Sequence, residues 1–319
     1  MHRREFLKSL AIAGATGLLP SGGSCAADAP QPAAGVKASF DPDAGRDVLQ
    51  REINAVPGAV CGSYLRDEAA GRAACAKYPA LARLDAALPR VMEEVRTAVV
   101  EDKPAVWLVY NMGVVVKTRK ALFTIDLCHP RAREYAKEFD FAVVTHNHLD
   151  HYTKKFYDEM NSRLHRTVVS NFMDNYGAVF HKGGVGGFAR GERTFRIKDV
   201  VVRTYQSDHN EFLRGFTMPV EIECGEYTIF HVGDTANVAE LKPTRPPDLW
   251  IHHCLCKRHI TGAGAAHLKP KLTVVAHLHE MCHPSGGSRW TFADGDTAKG
   301  ESEKAGVPAV VPFWGERIV

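Results

Sequence analysis

Three histidines and an aspartate lie within six consecutive positions, directly after a short apolar run at 141–144. They are His146, His148, Asp150 and His151. Imidazoles and carboxylates suit Zn²⁺ and its first-row neighbours. The run predicts a buried strand, and at its exit the first two histidines would point the same way. The pattern indicates one metal ion at the strand end and a second beyond the turn; the alternative is a histidine-rich surface loop.

The spacing His146-x-His148-x-Asp150-His151 resembles the signature of the metallo-β-lactamase superfamily. That resemblance implies further site residues at the ends of earlier and later strands, in a fixed order along the chain. A candidate is present for each, and every one follows a strand-like run: Asp126, His209, Asp234 and His277. The ordered match extends over about residues 105–285, which makes it far more specific than the first motif alone.

The resemblance implies two divalent metal ions. The first would be bound by His146, His148 and His209, the second by Asp150, His151 and His277, with Asp234 shared between them. The expected metal is Zn²⁺, with Mn²⁺ or Fe²⁺ as alternatives. A hydroxide between the two ions would be the nucleophile, and the carboxylate of Asp150 would hold it in line with the substrate.

Other polar residues of the pattern are expected to support the site. Asp126 would orient a ligating histidine by a hydrogen bond. His279 lies two positions after His277 and is an alternative last ligand, although His277 is favoured because it lies at the strand exit. The other histidines considered are expected to be structural or to line the pocket: His231, His252, His253, His259, His267 and His283.

The resemblance also implies the fold class, an α/β protein with a four-layer αββα sandwich over residues 105–319. Before the sandwich, apolar residues such as Leu81, Leu84 and Leu88 recur three and four positions apart. This spacing is typical of an amphipathic helix. Residues 30–104 are therefore interpreted as a linker followed by a helical extension.

The first 29 residues resemble a twin-arginine signal peptide. Arg3 and Arg4 precede a mild apolar run that is too short to span a bilayer, and small residues suited to cleavage follow it. The expected location is periplasmic or secreted, with no transmembrane segment in the mature chain. The alternatives are a lipid-anchored form through Cys25 and an uncleaved cytoplasmic N-terminus.

Charge and cysteine content narrow the choice of partner and compartment. The formal net charge is +3 over 319 residues, too small for the basic surface that nucleic-acid binding requires. The expected partner is a small-molecule substrate, and the sequence does not fix the oligomeric state. Among eight cysteines, Cys61 and Cys75 could pair in an oxidising compartment.

Within the superfamily, segments 233–235 and 270–277 resemble the branch of ascorbate-6-phosphate lactonase and similar metal-dependent hydrolases. This resemblance implies hydrolysis of a small ester, lactone or phosphodiester. The alternative function is that of a non-catalytic metal-binding or partner-binding protein that retains the fold.

Overall fold

The computed structural model describes residues 45–170, 193–209, 213, 215–235, 237–238, 241–253, 260–283 and 289–319. All of them belong to one compact unit, Pro42–Val319. The twin-arginine segment, the linker before residue 45, Cys25 and His259 lie outside the described residues. None of the described helices is long and apolar enough to cross a membrane.

Among the described residues, four helices precede the first strand. They are α1 (Arg46–Asn54), α2 (Gly58–Leu65), α3 (Ala69–Ala74) and α4 (Pro79–Thr97). The apolar spacing seen in the sequence lies on the inner face of α4, where Leu81, Leu84 and Leu88 are fully buried. Pro79 begins this helix, a position where proline loses no hydrogen bond and its fixed φ suits the first turn.

The first sheet contains six strands in the order β13-β1-β2-β3-β4-β5 among the described residues. Their bounds are β1 (Ala105–Tyr110), β2 (Gly113–Lys117), β3 (Leu122–Ile125), β4 (Phe141–Val144), β5 (Thr167–Ser170) and β13 (Glu316–Arg317). Strands β1 to β3 pair antiparallel, whereas β3, β4 and β5 pair parallel. A 3₁₀ helix at Pro130–Tyr135 links β3 to β4, and α5 (Lys154–Asp158), continued as a π-helix at Glu159–Arg163, links β4 to β5.

The second sheet repeats this arrangement. Seven described strands run in the order β12-β11-β10-β9-β8-β7-β6. Their bounds are β6 (Arg193–Ile197), β7 (Val200–Thr204), β8 (Val220–Cys224), β9 (Tyr227–His231), β10 (Leu249–His253), β11 (Leu272–Ala276) and β12 (Ala309–Val310). Strands β6 to β9 are antiparallel and β9 to β12 are parallel. Helices α6 (Ile260–Leu268) and α7 (Phe292–Lys304) connect the parallel strands.

The two sheets pack face to face through one apolar core. Fully buried side chains from both sheets meet in it, among them Val114 and Phe123 from the first and Ile222 and Ile251 from the second. Helices cover the outer faces: the Trp107 indole on β1 donates a 2.8 Å hydrogen bond to Glu94 of α4, and α7 packs on β11. The αββα arrangement predicted from the sequence is therefore confirmed.

The cysteine pairing considered from the sequence is not formed. Cys61 and Cys75 are both free thiols. Cys61 lies on the buried face of α2, which directs its sulfur inward, whereas Cys75 caps the end of α3 and is partly exposed. The Cys61 sulfur instead lies 3.1 Å from the sulfur of Cys282.

Candidate metal centre

The polar residues singled out in the sequence lie together at one end of the sandwich. Parallel strands present their carboxyl ends at the same edge of a sheet, which is where α/β proteins build sites. Here the ends of β3, β4, β9, β10 and β11 meet at this edge. The residues they deliver are Asp126, the 146–151 segment, Asp234, His253 and His277.

One group of ligand-type side chains consists of His146, His148, His209 and Asp234. Their nitrogen and oxygen atoms all lie within 4.8 Å of one another. The Asp234 Oδ2 atom is 3.6 Å from His146 Nε2 and 3.3 Å from His209 Nε2. His146 Nε2 and His148 Nδ1 are 3.1 Å apart, so the two imidazoles turn their nitrogens to the same point.

A second group consists of Asp150, His151 and His277, also with ligand atoms within 4.8 Å of one another. His277 Nε2 lies 3.2 Å from Asp150 Oδ2, and His151 Nε2 lies 3.7 Å from the same oxygen. Asp234 connects the groups, because its Oδ1 is 3.1 Å from His151 Nε2 while its Oδ2 faces the first group. The structure therefore brings together the residues of each expected set.

His253 also lies at the site, although its position in the sequence shows no fixed spacing from the metal-binding motif. It ends β10, which lies between β9 and β11, and its ring stacks on His277 at a centroid distance of 3.8 Å. Asp234, His253 and His277 also have ligand atoms within 4.8 Å of one another. His253 could have been identified as a histidine that ends a strand lying parallel to two strands that carry ligands.

Asp126 fixes the start of the 146–151 segment through hydrogen bonds. Its Oδ1 accepts the Thr145 backbone N–H at 2.7 Å, and its Oδ2 accepts the Thr145 hydroxyl at 2.7 Å and faces His151 Nδ1 at 2.9 Å. The last contact fixes the His151 ring so that Nε2 points into the site, the orienting role expected for this carboxylate.

Asn111, in the turn between β1 and β2, was missed in the sequence. Its Nδ2 donates to the Asp150 carboxylate at 3.0 Å and to the Asp150 backbone oxygen at 3.2 Å. Its backbone oxygen accepts from His277 N at 3.2 Å. Asn111 has φ +55° and His277 has φ +57°, left-handed conformations that persist where surrounding contacts hold them. Asn111 therefore positions one residue from each sheet.

The electrostatics of the site are dominated by buried carboxylates. Burial alone would raise the pKa values of Asp150 and Asp234. The imidazole of His151 and the other nearby imidazoles have the larger effect and hold both pKa values well below their usual range. Burial lowers the pKa of His277, yet Asp234 and Asp150 outweigh it and raise that pKa to about 10. Burial lowers the pKa of His148 to about 4. The cluster therefore stabilises positive charge between the carboxylates.

The donor set fits a divalent metal ion. His151 Nε2 and His277 Nε2 are buried without a hydrogen bond. They lie near the Asp234 carboxylate, at 3.1 and 3.5 Å, but outside hydrogen-bonding geometry. A cation placed between these nitrogen atoms and the carboxylate oxygens would be bound by both, whereas the atoms do not form hydrogen bonds with one another.

Four other histidines considered in the sequence belong to neither of the two ligand groups. His279 is buried among the rings of Phe292, Phe313 and Trp314, which places it away from the two groups and leaves His277 as the candidate at this strand end. Backbone or hydroxyl partners hold three more rings: His231 at Met112 O, His252 at Thr261 Oγ1 and His267 at Leu241 O.

Access to the site lies on the side of His148 and His209. The His209 side chain is 17% exposed, whereas that of His151 is fully buried. The Phe216 ring lies beside both accessible imidazoles, at centroid distances of 5.1 Å from His148 and 6.0 Å from His209. Among the described residues, the approach to the first group therefore has an aromatic wall.

Comparison with known proteins identifies the fold. No protein-family model and no curated protein matches the sequence. Among solved structures, the metallo hydrolase Igni18 from Ignicoccus hospitalis matches with a TM-score of 0.53 and 19% identity, covering 68% of this chain and 98% of its own. The metallo-β-lactamase fold protein YhfI from Bacillus subtilis matches with a TM-score of 0.51 and 12% identity, covering 68% and 99%. The chain therefore has the metallo-β-lactamase fold.

We expect Asp126→Asn to lower the free energy of unfolding by about 1–3 kcal/mol, because an amide cannot accept from all three donors that face this carboxylate. Asparagine tolerates the left-handed backbone at φ +51°, so the loss reports hydrogen bonding. Urea denaturation followed by circular dichroism measures it. The control Asp158→Asn, in an exposed pair with Lys154, should change stability by less than about 0.5 kcal/mol. Equal midpoints for Asp126→Asn and the wild type would contradict the orienting role.

Proposed function

We propose that this protein is an exported, dinuclear zinc hydrolase that acts on a small ester, lactone or phosphodiester. The single observation that carries the proposal is the position of Asp234. Its Oδ1 lies 3.1 Å from His151 Nε2 of the second group, and its Oδ2 lies 3.3 Å from His209 Nε2 of the first group and 3.5 Å from His277 Nε2 of the second. A binding protein that needed one ion would require only one of these groups.

The two groups would hold the ions as follows: His146, His148 and His209 the first, Asp150, His151 and His277 the second, and Asp234 both. The majority of nitrogen ligands favours Zn²⁺ over harder cations. When bound, such ions polarise a carbonyl or phosphoryl oxygen and lower the pKa of water to about 7. The fold neighbours include a protein described as a metallo hydrolase, which agrees with this chemistry.

The chain's own residues arrange the site for a reaction. Asn111 holds the Asp150 carboxylate in a fixed orientation. This carboxylate can therefore accept a hydrogen bond from a group bound beside the second set of ligands. Asp126 keeps His151 in one tautomer by facing its Nδ1. Neither residue needs to move during catalysis, and preorganised polar groups of this kind stabilise a transition state without reorganisation.

The accessible side of the site suits a small substrate. The ring of Phe216 lies next to the two partly exposed histidines, His148 and His209, and offers an apolar face to the non-reacting part of the substrate. The sequence resemblance to the ascorbate-6-phosphate lactonase branch supports the choice of ester, lactone or phosphodiester.

Metal analysis tests the dinuclear assignment. Protein purified without chelator should contain close to two transition-metal ions per chain, and His146→Ala should reduce that number because it removes a ligand of the first group. The measurement is elemental analysis by mass spectrometry on protein that has been desalted. His267→Ala removes a histidine whose ring bonds Leu241 O, away from both ligand groups, and should leave the metal content unchanged. One ion or none in folded wild-type protein would refute the dinuclear site.

Asp150→Asn separates an enzyme from a binding protein. The substitution keeps the size of the side chain but weakens a ligand and replaces one acceptor oxygen by a donor, so we expect kcat to fall at least about 10²-fold, the scale of losing one preorganised contact. The assay is turnover on a panel of lactones, phosphodiesters, thioesters and β-lactams. A thermal melt of the same variant checks the fold. Wild-type turnover by a normally folded Asp150→Asn protein would exclude the proposed role, and no turnover of any substrate by metal-loaded wild type would favour the non-catalytic alternative.

Export through the twin-arginine pathway is tested by substitution of the paired arginines. Arg3→Lys with Arg4→Lys should retain the protein in the cytoplasm, because the export machinery recognises the arginine pair. Cell fractionation followed by immunoblotting measures the distribution. Arg51→Lys in α1 serves as the control and should not change it. Normal periplasmic amounts of the double variant would refute this route.

A further inference from the structure

Helix α2 contacts both loops that carry candidate ligands. Gly58 lies so close to the second loop that a Cβ there would be 2.4 Å from the Cys282 backbone oxygen. A Cβ at Gly62 would be 3.6 Å from the side chain of Leu149, within the 146–151 segment. The position of α2 therefore affects both loops at once.

Two thiols meet at this contact. Cys61, on the buried face of α2, has no exposed surface, and its sulfur is 3.1 Å from that of Cys282, which is partly exposed. The sulfur atoms of a disulfide are about 2.05 Å apart, so a shift of about 1 Å would join them. The backbones around the pair are already fixed: the Arg289 guanidinium donates to Ile53 O at 2.7 Å, Val56 O at 2.9 Å and His283 O at 3.2 Å, and it also bonds Met281 O.

The neighbouring acidic group does not turn this pair into a metal site. Glu280 lies beside both thiols, but its carboxylate is already saturated. Oε1 accepts from the Tyr110 hydroxyl at 3.1 Å and from Cys282 N at 2.6 Å, and Oε2 accepts from His283 N at 2.8 Å and contacts His283 Nδ1. Two sulfurs alone would leave a zinc ion about two ligands short.

We propose that Cys61 and Cys282 form a disulfide that fastens α2 to the loop following His277. The geometry carries this assignment: two sulfurs in contact, on backbones held together by the Arg289 guanidinium, at the junction of the helical segment with the site. The disulfide closes a loop of more than two hundred residues, and long loops gain most from closure.

The oxidation balances with a small disulfide as the acceptor. The more accessible thiol, Cys282, loses its proton and attacks one sulfur of the acceptor, which releases one thiol and leaves a mixed disulfide on Cys282. The Cys61 thiolate then attacks the Cys282 sulfur and releases the second thiol. Two protons and two electrons pass from the cysteines to the acceptor. A hydrogen bond with Cys61, together with burial, raises the pKa of the Cys282 thiol well above its usual value, which slows its attack on the acceptor but makes it a poor leaving group once the disulfide has formed.

The disulfide also bears on metal retention. Because α2 touches both ligand loops, fixing α2 restricts the opening of His277 away from Asp150. This second consequence rests on the proposed dinuclear site, whereas the bond itself does not. Oxidised protein should therefore release its metal to a chelator more slowly than reduced protein does.

The experiment uses the purified full chain equilibrated with either oxidised glutathione or dithiothreitol. Peptide mapping without reduction should yield a cross-linked peptide pair containing Cys61 and Cys282 in the oxidised sample only. The melting temperature should fall by roughly 5–10 °C on reduction. Cys75→Ser should leave both results unchanged, while Cys61→Ser and Cys61→Ala should abolish the cross-link and the redox dependence of melting.

Other outcomes decide against the proposal. Full alkylation of both cysteines after treatment with oxidised glutathione, or a cross-link from Cys61 to Cys75, would overturn it. Zinc retained by the thiol pair in Asp150→Asn protein, and lost in Cys282→Ser, would assign the pair to metal binding instead. If the cross-link forms but the purified protein holds no metal, the disulfide stands and the proposed hydrolase function fails.

Discussion

Buried negative charge is the constraint on which this structure depends. Asp126, Asp150 and Asp234 are all at most 5% exposed and lie at one end of the sandwich. Charged groups taken out of water are costly unless they are paired. The imidazoles that surround them, the hydrogen bonds from Thr145 and Asn111, and the ion-binding geometry are all responses to that requirement. Removing any one partner leaves a carboxylate or imidazole without compensation, so the site is cooperative.

The local part of this arrangement could be predicted from the sequence. His146, His148, Asp150 and His151 are neighbours in the chain, and a short apolar strand before them fixes where they point. Asp234 and His277 could be found because the resemblance implies ligands at strand ends and each of these residues follows its own apolar run. The αββα class followed from the resemblance, and the αβ order of the chain agrees with it.

What depends on the pairing of distant strands could not be predicted. His253 enters the site because β10 lies between β9 and β11, and no local pattern states that order. Asn111 enters because a turn of the first sheet meets both Asp150 and His277. The contact of Cys61 with Cys282 joins residues 221 positions apart, whereas Cys75 was the partner of Cys61 considered from the sequence. In each case the missing information is tertiary proximity.

The origin of the ligands has a consequence for folding. The 146–151 segment belongs to the first sheet, while Asp234, His253 and His277 belong to the second, and Asn111 links the two. Neither half of the sandwich contains a complete site, so the binding centre exists only after the sheets have docked. The complete site therefore has no equivalent in the unfolded chain, where the neighbouring residues of the 146–151 segment could bind a cation only weakly, so most of the binding energy would stabilise the native state. Metal uptake would thus be a kinetic marker for the last, non-local step of folding, which sequence separation makes slow.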